Sequence, residues 1–164
     1  MIRGLLKQLK ARLKLDAAKN GGSNDLDPGE RLKVSATTVW SLARQIEAHS
    51  AQAPYPHLAK RLQEIALEKQ KMVDSLKEEL SHLGKDFGQP RFLIKSGKNH
   101  WERIRQDVED QKSLEANLLM HAAHLAESAP KISDLLKNIA SQQSAHSDIL
   151  LNMLIRADPQ ADQT

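Results

Sequence analysis

Gln143 and His146 stand where an apolar row should run. Ile132, Leu136, Ile139, Leu150 and Met153 keep a 4-3 spacing along the last long periodic segment, and this i, i+3 polar pair fills the gap in that row. A ligand residue three positions before a His, both turned into a core, is how helical bundles hold two metal ions, normally with Glu as the first member. Here the first member is Gln. The chemistry to weigh is a working metal site, the remnant of one, or neither.

The remaining histidines offer less. His121 and His124 share an i, i+3 spacing, and His49 lies near the matching end of an earlier segment, which is a conceivable surface zinc site and, more simply, a set of exposed or helix-end imidazoles. His57, His82 and His100 fall near helix ends, where backbone groups account for them. No Ser-His-Asp set, Gly-rich phosphate loop or paired-carboxylate cleft stands out. The chain has no Cys, so disulfides, thiolate metal sites and Cys nucleophiles are excluded.

The elements that must position these residues are helices. Aromatics make up only 3% and Gly is sparse, while Leu, Ala, Lys, Glu and Gln dominate, which disfavours sheet. At 164 residues the chain is long enough for one domain with a genuine core. The periodicity predicts a bundle over 30–156, with helices at about 30–50, 57–83, 99–127 and 131–156. The seam of the first is Leu32, Ala36, Val39, Ala43 and Ile46, and that of the second Leu58, Leu62, Ile65, Met72, Leu76 and Leu83, with Lys69 in the same row. The third carries Trp101, Ile104, Val108, Leu118, Ala122 and Leu125, interrupted by Gln111 and Glu115. Asn99 is a good N-cap, Gly84 a good C-terminal stop, and Ala53-Pro54-Tyr55-Pro56 a turn.

Residues 84–98 form one long connection. Extended at about 3.4 Å per residue it spans roughly 50 Å, whereas a helix of some 27 residues is about 40 Å long, so it can cross the whole bundle. Helices two and three are then parallel, with Phe92-Leu93-Ile94 expected to pack on the bundle and pin the crossing. A shift of 74 residues pairs Pro56 with Pro130, Leu62 with Leu136, Ile65 with Ile139, Ala66 with Ala140, Asp74 with Asp148 and Leu76 with Leu150, which predicts an internal repeat. Under it Lys69 falls on Gln143 and Met72 on His146.

The runs LQEIALEKQKMVDSLKEELSHLG and LLKNIASQQSAHSDILLNML resemble the second and fourth helices of the ferritin-like, rubrerythrin-type and bacterioferritin-type superfamily, with its Leu-x-x-Ile-Ala-x-x-Glu-x-x-His-x-x-x-Leu pattern. The resemblance covers about residues 30–156 and implies an all-α, ferritin-like four-helix bundle. The defining Glu-x-x-His reads Lys69-Gln70-Lys71-Met72 in one half and Gln143-Ser144-Ala145-His146 in the other.

A carboxylate-bridged di-iron centre needs about four carboxylates and two imidazoles to offset its charge in a low-dielectric core. Counting back from Lys69 puts the first helix at the same height near Thr37, and Val34 through Trp40 contains no acid. Glu115, His146 and Gln143 remain, with Lys69 and Met72 in place of a ligand pair. The expectation is a core polar cluster of Lys69, Glu115, Gln143 and His146, with the Lys69 ammonium paired to Glu115, Trp40 filling the lost ligand's space, and no metal or other cofactor. Two alternatives stand beside it: Lys69 snorkels to solvent, or Gln143, His146 and Glu115 serve as a non-standard iron or manganese site.

Net charge is +3, and Arg3, Lys7, Lys10, Arg12 and Lys14 all precede the first acid, Asp16, so the body is near neutral and has no broad basic face for nucleic acid. With Leu5, Leu6, Leu9 and Leu13 on one face, residues 1–15 read as a basic amphipathic helix. Residues 16–29 read as a flexible linker, and residues 157–164 as a polar tail. Such a helix suits a groove on a partner protein or larger assembly, an anionic membrane surface, or packing back on its own bundle; a cleaved transit peptide and a homodimer also stay open. No stretch is apolar enough to span a membrane, and a cytoplasmic or membrane-peripheral location is the default expectation. The reading preferred on these grounds is a non-catalytic structural or interaction module tethered by its N-terminal helix. Its rival is a metal-dependent oxidoreductase or iron-handling protein, and a third reading, sequestration of a small apolar ligand, requires a cavity.

Overall fold

The computed structural model describes residues 26–157, so the basic segment 1–15, most of the linker and the tail beyond Ala157 lie outside the described residues. Four helices follow in order: α1 Pro28–Ser50, α2 Pro56–His82, α3 His100–Leu125 and α4 Pro130–Arg156. Local chemistry sets their ends. Asp27 caps α1, its carboxylate accepting from Gly29 N at 2.7 Å and Glu30 N at 3.1 Å, with Pro28 at the first position. Residues 27–29, expected in the linker, therefore belong to the body. Gly84 ends α2 at φ +66°, and the returning bonds Gly84 N to Ser81 O (2.9 Å) and Lys85 N to Leu80 O (3.0 Å) close a Schellman motif. The Asn99 side chain accepts from Glu102 N at 2.9 Å to open α3, and Pro130 opens α4.

Side-chain partners fix the topology. Ser35 meets His121 and His49 meets Asp107, so α1 and α3 are antiparallel. Lys69 meets Gln143 near the middle of α2 and Lys131 meets Glu79 near its end, so α2 and α4 are antiparallel too. Ser133 donates to the Ala122 carbonyl at 2.7 Å across the antiparallel pair α3 and α4. Helices α2 and α3 are consequently parallel, joined by the crossover of residues 83–99. The arrangement is a ferritin-like four-helix bundle. Its core is the merged seams, with Leu32, Ile46, Leu62, Ile65, Leu76, Ile104, Leu118 and Leu136 at most 1% exposed.

The crossover departs from expectation. Phe92 packs inward, edge-on to Trp40 at 6.1 Å, and Phe87 meets the same indole at 6.5 Å. Leu93 and Ile94 instead face solvent, at 90% and 50% exposure. An extended segment turns successive side chains to opposite sides, so Leu93 must face away where Phe92 packs inward, while Ile94 returns only partway to the bundle. Trp40 is only partly buried beside the core and packs its indole against this strap, which corrects its expected place as a filler of the core site.

Candidate functional site

The middle of the bundle is built on Lys69, whose side chain is fully buried. Its Nζ donates to Gln111 Oε1 at 2.5 Å and to Gln143 Oε1. Gln111 Nε2 donates in turn to Gln143 Oε1 (3.0 Å) and to the Gln143 carbonyl (3.1 Å), while Gln143 Nε2 reaches the Met72 sulfur at 2.8 Å. Three helices thus share one amide and amine network. Two side-chain oxygens accept from the amine, and burial pulls the Lys69 pKa from 10.5 down to about 7, against the charges of Glu115, Asp107 and Glu68.

The direct ion pair expected between Lys69 and Glu115 is not made. Glu115 is half-buried and accepts from Ser147 Oγ and, at 3.3 Å, from Gln111 Nε2, so its link to Lys69 runs through Gln111. His146 also turns away from Lys69. Its Nε2 donates to Glu68 Oε2 at 2.7 Å, and its buried Nδ1 has no hydrogen-bond partner among the described residues. Burial and the Lys69 charge hold His146 below its ordinary pKa, and the hydrogen bond from His146 holds Glu68 below the usual carboxylate range. This is a neutral imidazole on an ionised carboxylate. Glu68 escaped sequence reasoning because it flanks the seam and reads as a surface residue; its place beside Lys69 was the available signal.

A second polar cluster escaped notice altogether. His49 and Asp107 are 1% and 0% exposed. His49 Nδ1 lies 2.9 Å from Asp107 Oδ2, and its Nε2 lies 2.8 Å from the Lys95 carbonyl of the crossover. Burial pushes the Asp107 carboxyl up and the His49 hydrogen bond opposes that rise; with Asp107 ionised, a carbonyl and a carboxylate only accept, so both ring nitrogens carry protons and the ring is cationic. Burial alone would lower its pKa, but the hydrogen bond to Asp107 and that residue's charge leave it raised. Gln45 Nε2 donates to Asp107 and Asp110, each at 2.9 Å, and Lys95 Nζ donates to Asp110 at 2.5 Å.

This placement dissolves the surface zinc site. His121 bonds to Ser35 Oγ at 2.8 Å, fourteen residues along α1 from His49, a rise of about 21 Å. His124 is exposed. Among the described residues no group of three or more His, Cys, Asp or Glu could share a metal ion. Among them too, no helix is long and apolar enough to cross a membrane.

Neither a protein-family description nor a curated protein matches the sequence. Among solved structures, the fold is similar to Rhodobacter capsulatus bacterioferritin, with a TM-score of 0.72 and 15% identity over 83% of this chain and 88% of that one. That structure is described as having a metal-free dinuclear site and heme iron in a crystallographic special position. The likeness overturns the expectation that a chain of this kind takes no cofactor, since the same fold carries both a dinuclear site and heme in that protein. The donors at this bundle's midpoint do not fit a di-metal centre, however. Two amide oxygens, a thioether and an amine surround the position, and the Glu115 carboxylate is already bonded to Ser147 and Gln111.

Proposed function

We propose that this chain is a ferritin-like bundle acting as a structural or interaction module, recruited through residues 1–15 to a partner protein, a larger assembly or an anionic membrane surface. The observation that carries the reading is the seating of Lys69 between Gln111 and Gln143. An amine fills the midpoint where two helices would otherwise present ligands, and the network around it is hydrogen-bonded across three helices. A polar core joined in this way supports the bundle. The pairing of Lys69 with Gln143, 74 residues apart, supports descent of the two halves from one duplicated helix pair.

The test compares the full chain with a variant lacking residues 1–25, which retains the Asp27 cap. Loss of co-sedimentation with anionic vesicles, or of a co-purifying protein, is expected on truncation. Identical behaviour of the two chains in both assays removes the tether. A second reading, iron handling, draws on the likeness to bacterioferritin. Iron near one atom per chain after purification without chelator, or a heme absorption band, would favour it over the module.

A further inference from the structure

The end of the bundle where α2 begins and α4 ends holds a cleft of about 740 Å³, within the range of small-molecule sites. Its floor is Leu58 from α2 with Ile149 and Met153 from α4, and its rim carries Arg61, Arg156 and His57. None of its lining residues is a carboxylate. Arg61 shares one nitrogen with Glu64 at 2.8 Å, while Arg156 has no carboxylate partner among the described residues. The N-terminus of α2 opens here, and among the described residues it has no side-chain cap and no acid in its first turn.

We propose that this cleft binds a small amphiphilic carboxylate, a medium-chain fatty acid, with its head between Arg156 and Arg61 and its chain along Leu58, Met153 and Ile149. Charge selects the head group. Arg156, Arg61 with the charge it does not share with Glu64, the His57 imidazole and a helix N-terminus line a cleft with no acid in its own wall, an arrangement that disfavours a cation and leaves a neutral polar group without a counter-charge. Shape selects the tail. Ile149 lies seven residues before Arg156, about 10 Å down the helix, so an apolar floor runs inward from the charged rim. Met153 is unbranched and adapts to a flexible chain.

Calorimetric titration of the full chain with decanoate, decylamine and decanol tests the site. Decanoate binding with a stoichiometry near one is expected, and each of the other two should bind at least tenfold more weakly. Arg156 is exposed at the end of α4, so Arg156→Gln will fold; it should weaken decanoate binding roughly tenfold, and Arg156→Lys should recover part of that loss. Equal binding of the three amphiphiles, or decanoate binding unchanged in an Arg61→Gln/Arg156→Gln variant, overturns the proposal. A dimer that dissociates on Arg156→Gln, with no decanoate bound, would place a second copy in the cleft and overturn it equally. These outcomes are independent of the bundle midpoint and of residues 1–25.

Discussion

Lys69 is a basic group whose folded pKa, about 7, lies well below its unfolded value of 10.5. Between those values the unfolded chain holds a proton that the folded chain has released, so unfolding becomes harder as pH rises through the window. Lys69 should therefore make stability increase with pH, by at most about 1.4 kcal/mol per unit. The check is urea unfolding from about pH 7.5 to 9.5: Lys69→Met should have a flatter profile than the native chain, and parallel profiles would show that the amine titrates normally. Gln143→Leu removes one of the two oxygens that accept from Lys69 and should cost about 1–3 kcal/mol in the same assay. The sequence shows that Lys69, Gln111 and Gln143 share the core, because helical spacing assigns a face. It does not show which neighbour at one height accepts the proton. Charge arithmetic favours Glu115, but the structure gives Lys69 two neutral amides, and the acid stands one residue further along the network.

Among the elements, the crossover is the one whose attachment could not be read from pattern. Its length dictates that it spans the bundle, and the parallel course of α2 and α3 follows. Its main chain is held from the helix side: His49 of α1 grips the Lys95 carbonyl with one nitrogen and Asp107 of α3 with the other, and Gln106 and Arg103 of α3 donate to the Ser96 and Gly97 carbonyls. Nothing in the local sequence of residues 84–98 announces this, because the acceptor is a main-chain oxygen. His49→Leu leaves Asp107 buried without its cation and should cost about 3–5 kcal/mol in urea unfolding, part of it recovered by Asp107→Asn. The pH dependence runs opposite to that of Lys69. The folded pKa of His49 is raised, so its stabilisation is fully present below its unfolded pKa of 6.5 and is lost as pH rises through the folded value. Tryptic cleavage after Lys95, corrected for the protease's own pH dependence, should quicken across that rise in the native chain and be fast throughout in His49→Leu. Uniform resistance in both would mean that the ring contacts of Trp40 with Phe87 and Phe92, the bonds from Gln106 and Arg103 to the Ser96 and Gly97 carbonyls, and the Lys95–Asp110 pair suffice to hold the strap.

At the scale of the whole molecule, the fold was legible because four apolar seams, one long connection and well-placed stops leave few ways to close a bundle. The start of the body was less legible. Asn, Gly, Asp and Pro around residues 20–29 read as linker, yet Asp27 and Pro28 are the cap and first turn of α1, and Lys85 beyond α2 reaches back to Asp27 at 3.1 Å and Glu30 at 3.2 Å. The same residue types serve a flexible segment and a helix start, and only the later lysine distinguishes them. Two truncations exploit the difference. Removing residues 1–25 keeps the cap and the contacts of Lys85, and should leave helical content per residue and the thermal midpoint close to those of the full chain by circular dichroism. Removing residues 1–28 strips Asp27 and Pro28 and exposes the first amides of α1, and the midpoint should fall. Equal midpoints for the two truncations would show that the end of α1 is held by Leu32 and Ala36 in the core and not by its cap, while a large fall already at the first truncation would mean that residues 1–25 pack on the bundle as part of its structure, leaving no free segment to act as a tether.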